Sequence, residues 1–367
     1  MSGWFMMIGI DARLLAYRTG GISTYIRQMV IALGKFAPPD AIGIFNHRKA
    51  SSPIATPFRS YRLFTPPHHR IERIALSAEL MRHRLNIWHS PDFIPPYRGG
   101  KTHIITVHDL TFLHFPQHKD ADAVRYYNNQ IADAVRQADH ILSVSHATKH
   151  DLMTMLQVPE EKITVQPNGI DQYFVPLSDD EKVSWRTRLN LPQAFILFVG
   201  TLEPRKNIPA LLDAYAMMHN PPPLLLVGRM GWLFDDTLAQ IHALQAGGKT
   251  IILRDDIDDV SLPAVYACAS VLVMPSFYEG FGLPALEAMA CGTPVVVSDN
   301  SSLPEVVGDA GLLVNPHEPE TIRIALEQAL SDSAWREGAI GRGIARAKPF
   351  TWENSAKIVW SVYQNML

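Results

Sequence analysis

Cysteine is nearly absent from this 367-residue chain: Cys268 and Cys291 are the only two, and both lie in apolar segments. A disulfide framework is thereby excluded, and the usage suits a reducing compartment. Charge is sparse as well. Charged residues make up 19% and the formal net charge is -3, which argues against nucleic acid as a partner of the whole protein. No apolar run approaches the roughly 20 residues that a membrane-spanning helix needs. The opening "MSGWFMMIGIDARLL" has no basic stretch before its apolar residues and meets Asp11 and Arg13 early. It reads as a first strand and not as a signal peptide. Internal repeats, low-complexity tracts, zinc-type Cys/His spacing and the G-x-G-x-x-G dinucleotide fingerprint are also missing. The expectation is a cytoplasmic protein that needs no metal, whose membrane contact, if any, is peripheral at the inner face.

What is present is apolar and periodic. Hydrophobic residues reach 47%, enough for about two cores in a chain of this length. Short, nearly continuous apolar runs recur at 5–11, 41–46, 86–91, 102–109, 140–145 and 162–169. Helical stretches at 22–35, 71–85, 121–138 and 147–156 alternate with them. Strands buried on both faces and separated by helices predict a parallel sheet. A second series has strands at 195–200, 223–228, 250–255, 270–276, 293–299 and 310–315. Its helices fall at 207–218, 235–246, 261–268, 284–290, 303–307 and 319–331. The fold class is therefore α/β, as two consecutive doubly wound, Rossmann-like domains. Pro167, Gly169 and Pro176 punctuate the junction, giving domains of 1–173 and 174–349. The amphipathic tail 350–367 carries Trp352, Ile358, Val359, Val362 and Tyr363 for burial. Residues 1–172 carry five more Lys and Arg than Asp and Glu, and the remainder eight fewer. A basic front half suits an anionic acceptor or a lipid headgroup surface; a plain solvated basic face is the simpler and favoured reading.

Sheets of this kind bind ligands beyond the carboxyl ends of their strands, so the loops after strands should carry the chemistry. After strand 195–200 comes "GTLEPRKN", with Arg205 and Lys206 side by side just ahead of a helix. Cations there are badly placed for their own helix dipole and well placed to share a phosphate. After strand 270–276 comes "YEGFGLPALEAM". Gly280 and Gly282 let backbone approach a ligand, and Pro284 fits a first helical turn. The amides around Phe281, Gly282 and Leu283 then form an anion site with the helix dipole. Glu287, in the first turns of that helix, could accept hydrogen bonds from the vicinal hydroxyls of a ribose, and Glu279, ahead of the loop, from sugar hydroxyls. The plainer alternatives are a dipole-favoured carboxylate and a solvated one. In the first domain Gly20-Gly21 opens an apolar-periodic helix, and His108 and Asp109 end a strand. The acidic run Asp255-Asp256-Ile257-Asp258-Asp259 reads as a polar loop.

Taken together, "EGFGLPALE", "GTLEPRKN", "PNGID", "TGGISTY" and "GLLVNPHEPE" resemble, in order, the E-x7-E retaining glycosyltransferases of the GT-B fold, family GT4. The resemblance spans essentially the whole chain. It implies two Rossmann-like domains facing a cleft, with a last helix crossing back to the first. It also implies a nucleotide-diphosphate sugar as donor, with Arg205 and Lys206 on the diphosphate and Glu287 on the ribose. Glu279 would meet the transferred sugar, with Gly280, Phe281, Gly282 and Leu283 donating from backbone. Gly20 and Gly21 would approach the phosphates, His108 would stand near the reacting centre, and the nucleobase would be met near Ile257. Where the family often has Leu-Gly before that loop, this chain has Arg254-Asp255, which leaves guanine and uracil both open.

The expected activity is transfer of a hexose with retention, most simply mannose from GDP-mannose, to a glycan or lipid-linked acceptor in cell-surface polysaccharide or glycolipid assembly. UDP-glucose is the rival donor. Nucleotide-sugar epimerisation and non-catalytic nucleotide-sugar binding are the other readings. The acceptor and the oligomeric state have no legible code.

Overall fold

The computed structural model describes residues 7–17, 20–50, 54–116, 130–231 and 234–367. They divide into two compact units, one running to Gly169 and including Phe350–Leu367, the other Ile170–Pro349.

The first unit is built on a seven-stranded sheet ordered β3-β2-β1-β4-β5-β6-β7. Its strands are β1 (Ile8–Asp11), β2 (Ile42–His47), β3 (Arg59–Leu63), β4 (Leu85–Ser90), β5 (Gly100–Val107), β6 (His140–Ser143) and β7 (Ile163–Val165). Every pairing is parallel. Helices α1 (Gly21–Leu33), α2 (Glu72–Leu80), α3 (Thr111–His114) and α4 (His146–Met155) occur in its crossovers. The predicted strand 5–11 begins at Ile8, with residues 1–6 outside the described set; of the predicted helix 121–138, residues 130–137 are helical and 121–129 lie outside that set. Ser145 caps α4, its hydroxyl accepting from the Thr148 amide at 3.0 Å.

The second unit repeats the plan with six strands ordered β10-β9-β8-β11-β12-β13, again all parallel. They are β8 (Ile196–Val199), β9 (Leu224–Val227), β10 (Ile251–Arg254), β11 (Val271–Met274), β12 (Val295–Ser298) and β13 (Leu312–Val314). Its helices are α5 (Asp179–Leu189), α6 (Ile208–Met217), α7 (Asp235–Ala246), α8 (Leu262–Cys268), α9 (Leu283–Ala290), α10 (Leu303–Val307), α11 (Pro319–Ser331) and α12 (Ser333–Ala347). Strands β8, β9, β11 and β12 are buried along their whole length, as their almost wholly apolar sequences demand.

The closing helix α13 (Trp352–Met366) belongs to the first unit. Trp352, Val359, Val362 and Tyr363 join one core with Tyr25, Ile26, Met29 and Val30 of α1. Gly169 makes room for its start: a Cβ there would lie 2.2 Å from the Trp352 nitrogen. Among the described residues no helix is long and apolar enough to cross a membrane.

Among the described elements that escape the apolar-run reading, three do so for a clear physical reason. Strand β3 is an edge strand with a mostly exposed face, so it carries no apolar run. Helix α5 buries no residue and depends on a capping box between Ser178 and Glu181. Helix α12 packs through Ala339, Gly343 and Ala347, small residues that leave no hydrophobic stripe. The domain boundary also shifts, since residues 170–173 belong to the second unit. There the next residue, Phe174, is buried, its ring 6.0 Å from that of Tyr266.

Candidate functional site

In the second unit the loops after β8, β9, β11 and β13 are tied together by backbone approach and one asparagine. A Cβ at Gly228 would fall 2.0 Å from the Gly200 carbonyl oxygen, so glycine alone permits these two loops to run side by side. The β8 loop then makes a tight turn over Pro204–Lys206 and ends on Asn207, whose φ is 56°. The Asn207 amide donates to the carbonyls of Pro275 at 3.0 Å and Pro316 at 2.6 Å. The Arg205 carbonyl accepts from the Phe277 amide at 2.8 Å. The basic pair is thereby fixed against the loop that follows β11.

That loop presents Glu279, which is buried at 6% exposure. One carboxylate oxygen accepts from Lys206 Nζ at 2.6 Å and Ser276 Oγ at 2.7 Å. The other accepts from Arg205 Nη1 at 2.9 Å. Burial opposes the charge, but Lys206 and Arg205 more than offset it and bring the Glu279 carboxyl down to about 2. Lys206 is lowered in turn, by burial first and by Arg205 second, with Glu279 pulling the other way. Glu203 adds a second carboxylate, 2.5 Å from Arg205 Nε. The peptide of Glu279 is held from both sides: its amide donates to Ser301 Oγ at 3.1 Å, and its carbonyl accepts from Ser302 Oγ at 2.9 Å. Two cations are thus oriented by a pre-built counter-ion at the carboxyl edge of the sheet, an arrangement that can take up a diphosphate with little rearrangement.

Gly280, Phe281 and Gly282 follow and lead into α9. Gly282 precedes the helix with φ 96°, and a Cβ there would meet Leu303 Cδ2 at 2.6 Å. Leu283 and Pro284 form the first turn, with no side-chain cap on the amides. Glu287 sits half-buried on α9 and accepts from the Tyr266 hydroxyl at 2.8 Å. Burial, with Asp171 and Asp259 nearby, pushes its carboxyl up to about 7 against the pull of the Tyr266 hydrogen bond. Ile257 is half-buried in the β10–α8 loop. Two of the acids around it are engaged locally: Asp256 pairs with Arg254 at 2.5 Å, and Asp258 accepts from the Ser261 amide at 2.7 Å.

In the first unit, Gly20 and Gly21 start α1, and a Cβ on either would meet no heavy atom within 4 Å. His108 follows β5, with Nε2 2.8 Å from the Pro91 carbonyl and its ring edge-on to Tyr25 at 4.8 Å. The carbonyl can only accept, so Nε2 carries the proton and Nδ1 is the acceptor nitrogen. Burial lowers the His108 pKa and favours the neutral ring. Behind it His89 is fully enclosed, bonded to Tyr363 at 2.6 Å and Thr106 at 2.8 Å, and driven down to about 3 by burial.

The structure therefore brings together Arg205, Lys206 and Glu279, sets Gly280, Phe281, Gly282, Leu283 and Glu287 directly after them, and keeps Ile257 on another loop of the same unit. Gly20, Gly21 and His108 stand in the other unit. Sequence reasoning passed over Glu203, Ser276, Asn207, Ser301 and Ser302. Their signal was position: each lies in a loop after a strand of the second sheet, where a small polar residue has a ligand or a loop to hold.

Two family models divide the chain between them: the one described as "Glycosyl transferases group 1" matches residues 179–345, and the one described as "Glycosyltransferase Family 4" matches residues 19–173. The O-antigen chain mannosyltransferase B of Escherichia coli is 38% identical over 283 residues, 76% of this chain and 74% of that protein. The serotype-specific mannosyltransferase WbdA of Escherichia coli is 29% identical over 255 residues, 68% of this chain but only 31% of that larger protein. Among solved structures, sucrose-phosphate synthase from Thermosynechococcus elongatus superimposes with a TM-score of 0.78 over 98% of this chain and 99% of that one. At 24% identity that likeness speaks for the fold alone. With its two doubly wound units and a relative at 38% identity, the chain belongs to the group 1 glycosyltransferases, of GT-B fold.

Proposed function

We propose that this glycosyltransferase moves mannose from GDP-mannose, with retention at the anomeric carbon, to a lipid-linked or growing polysaccharide acceptor. The observation that carries the sugar is the 38% identity to an O-antigen chain mannosyltransferase across three quarters of both chains. The geometry supports the donor class. Breaking the sugar–phosphate bond leaves negative charge on the diphosphate, and Lys206, Arg205 and the α9 amides face that need. Glu279 holds the two cations in place and, within this proposal, meets the transferred sugar. Glu287 accepts from the ribose hydroxyls when ionised. Gly20, Gly21, His108 and Ile257 keep, within this proposal, the roles the family resemblance implies. No residue is assigned as a covalent nucleophile, and the leaving phosphate assists loss of the acceptor's proton. No metal is required.

The test is a thermal-shift and turnover panel with GDP-mannose, GDP, UDP-glucose and UDP in excess EDTA. A ligand at a hundred times its dissociation constant adds about 2.7 kcal/mol of stability. The expected result is a clear shift and turnover with GDP-mannose and neither with UDP-glucose. Turnover with UDP-glucose alone would replace the donor, and a shift without any turnover would leave only a binding protein.

A further inference from the structure

Residues 171–174 form a tight turn at the start of the second unit. The Phe174 amide donates to the Asp171 carbonyl at 3.1 Å, which closes the turn and puts Tyr173 at its corner. Phe174 is buried, with its ring 6.0 Å from that of Tyr266, whose hydroxyl donates to Glu287 at 2.8 Å. Tyr173 lies against Phe174 with ring centroids 5.2 Å apart, and its own hydroxyl donates to Asp171 Oδ2 at 2.8 Å. Three rings therefore lead from the Glu287 carboxylate out to Tyr173. Burial, the bond to Asp171 and the charges of Asp171, Asp259 and Glu287 all raise the Tyr173 hydroxyl, so it stays protonated and keeps that bond. Asp259 belongs to the β10–α8 loop that carries Ile257, so the ring stands near that loop as well as near Glu287. Tyr173 is nonetheless 50% exposed. A ring anchored at its tip by a hydrogen bond and at its base by a turn has lost side-chain freedom without burying its surface. A flat ligand that covers it offsets that cost. A ribose held at Glu287 by its vicinal hydroxyls carries such a group, its base, one bond beyond the sugar.

We infer that Tyr173 is the platform on which the donor's nucleobase stacks, and that it favours the two fused rings of guanine over the single ring of uracil. This deepens the proposed function and rests on its placing of the ribose at Glu287. Stacking on an aromatic side chain is open to any base, and its strength sets the preference among bases. Tyr173 thereby acts on the choice between GDP and UDP without a hydrogen bond to either base.

Isothermal titration of the full chain with GDP, UDP and inorganic pyrophosphate tests it. The wild type should bind GDP more tightly than UDP. Tyr173→Ala should weaken GDP by about ten-fold or more and UDP by less, with pyrophosphate unchanged. Tyr173→Phe keeps the ring and loses only the bond to Asp171, so GDP should stay within about three-fold of the wild type. Ile324→Ala, at another exposed apolar position of the second unit, should bind as the wild type does. Unchanged GDP affinity in Tyr173→Ala, an equal loss of pyrophosphate, a Tyr173→Phe loss as large as that of Tyr173→Ala, or a wild type that does not prefer GDP to UDP would each overturn the inference while leaving a nucleotide site in place. A wild type that binds neither nucleotide would overturn the donor reading itself, and this inference with it.

Discussion

Glu279 and Glu287 belong to one short stretch of sequence, yet their surroundings drive them in opposite directions. Both are desolvated, which by itself raises a carboxyl. Glu279 has Lys206 and Arg205 on its oxygens and falls to about 2. Glu287 has a tyrosine hydroxyl and two neighbouring carboxylates and rises to about 7. The partners, more than the burial, therefore decide the role. A carboxylate clamped by two cations is a permanent counter-ion, and one among acids is a group whose charge depends on pH and on what binds beside it.

The comparison can be broken most strongly from the Glu279 side. Lys206→Ala removes a proposed phosphate ligand and leaves a buried carboxylate with fewer partners. We expect kcat to fall by about 10²–10³-fold and stability by several kcal/mol, roughly 3–5, read from turnover and from urea melts. Wild-type turnover would detach the pair from catalysis. Gly282→Ala strikes the loop between the two acids. A positive φ and contact with Leu303 should cost about 1–3 kcal/mol, with a matching loss of nucleotide affinity in calorimetry.

Glu287→Gln sharpens the other half. If Glu287 takes the ribose as proposed, loss of charge-assisted bonds should weaken GDP binding by about ten- to a hundred-fold at pH 8, and much less near pH 5.5, where a carboxyl raised to about 7 is protonated. Affinity of the wild type should rise with pH through about 7, the Glu287 value. The same shift also acts on stability. Glu287 is raised from 4.5 to about 7, so its contribution is present at low pH and is lost as pH climbs through that window. Glu279 is lowered from 4.5 to about 2, so its contribution is present above 4.5 and is lost as pH falls toward 2. Melting temperature against pH should lose its slope between about 4.5 and 7 in Glu287→Gln and keep its acid limb.

Most of the second unit was legible because its signals agree. Apolar runs such as "ILFV" and "VLVM" are strands buried on both faces, and Pro284 after Gly282 marks a helix start. Pattern alone does not find α5, which buries nothing, or α12, whose contact face is made of glycine and alanine. The same limit applies to the site. Adjacent Arg205 and Lys206 could be read as phosphate ligands, and Glu279 as a carboxylate beside a ligand loop. That the three form one network across more than seventy residues of chain is a fact of loop packing through Asn207 and Gly228. The opposite shifts of the two glutamates likewise depend on Tyr266, Asp171 and Asp259, which lie far from them in sequence or on another loop.

The most direct measurement is a carbon-13 carboxyl NMR titration of the folded protein, with Glu279 and Glu287 assigned by their Gln variants. The account predicts that Glu279 stays ionised down to the acid limit of the fold while Glu287 titrates near 7. Two glutamates titrating together near the ordinary 4.5 would contradict it.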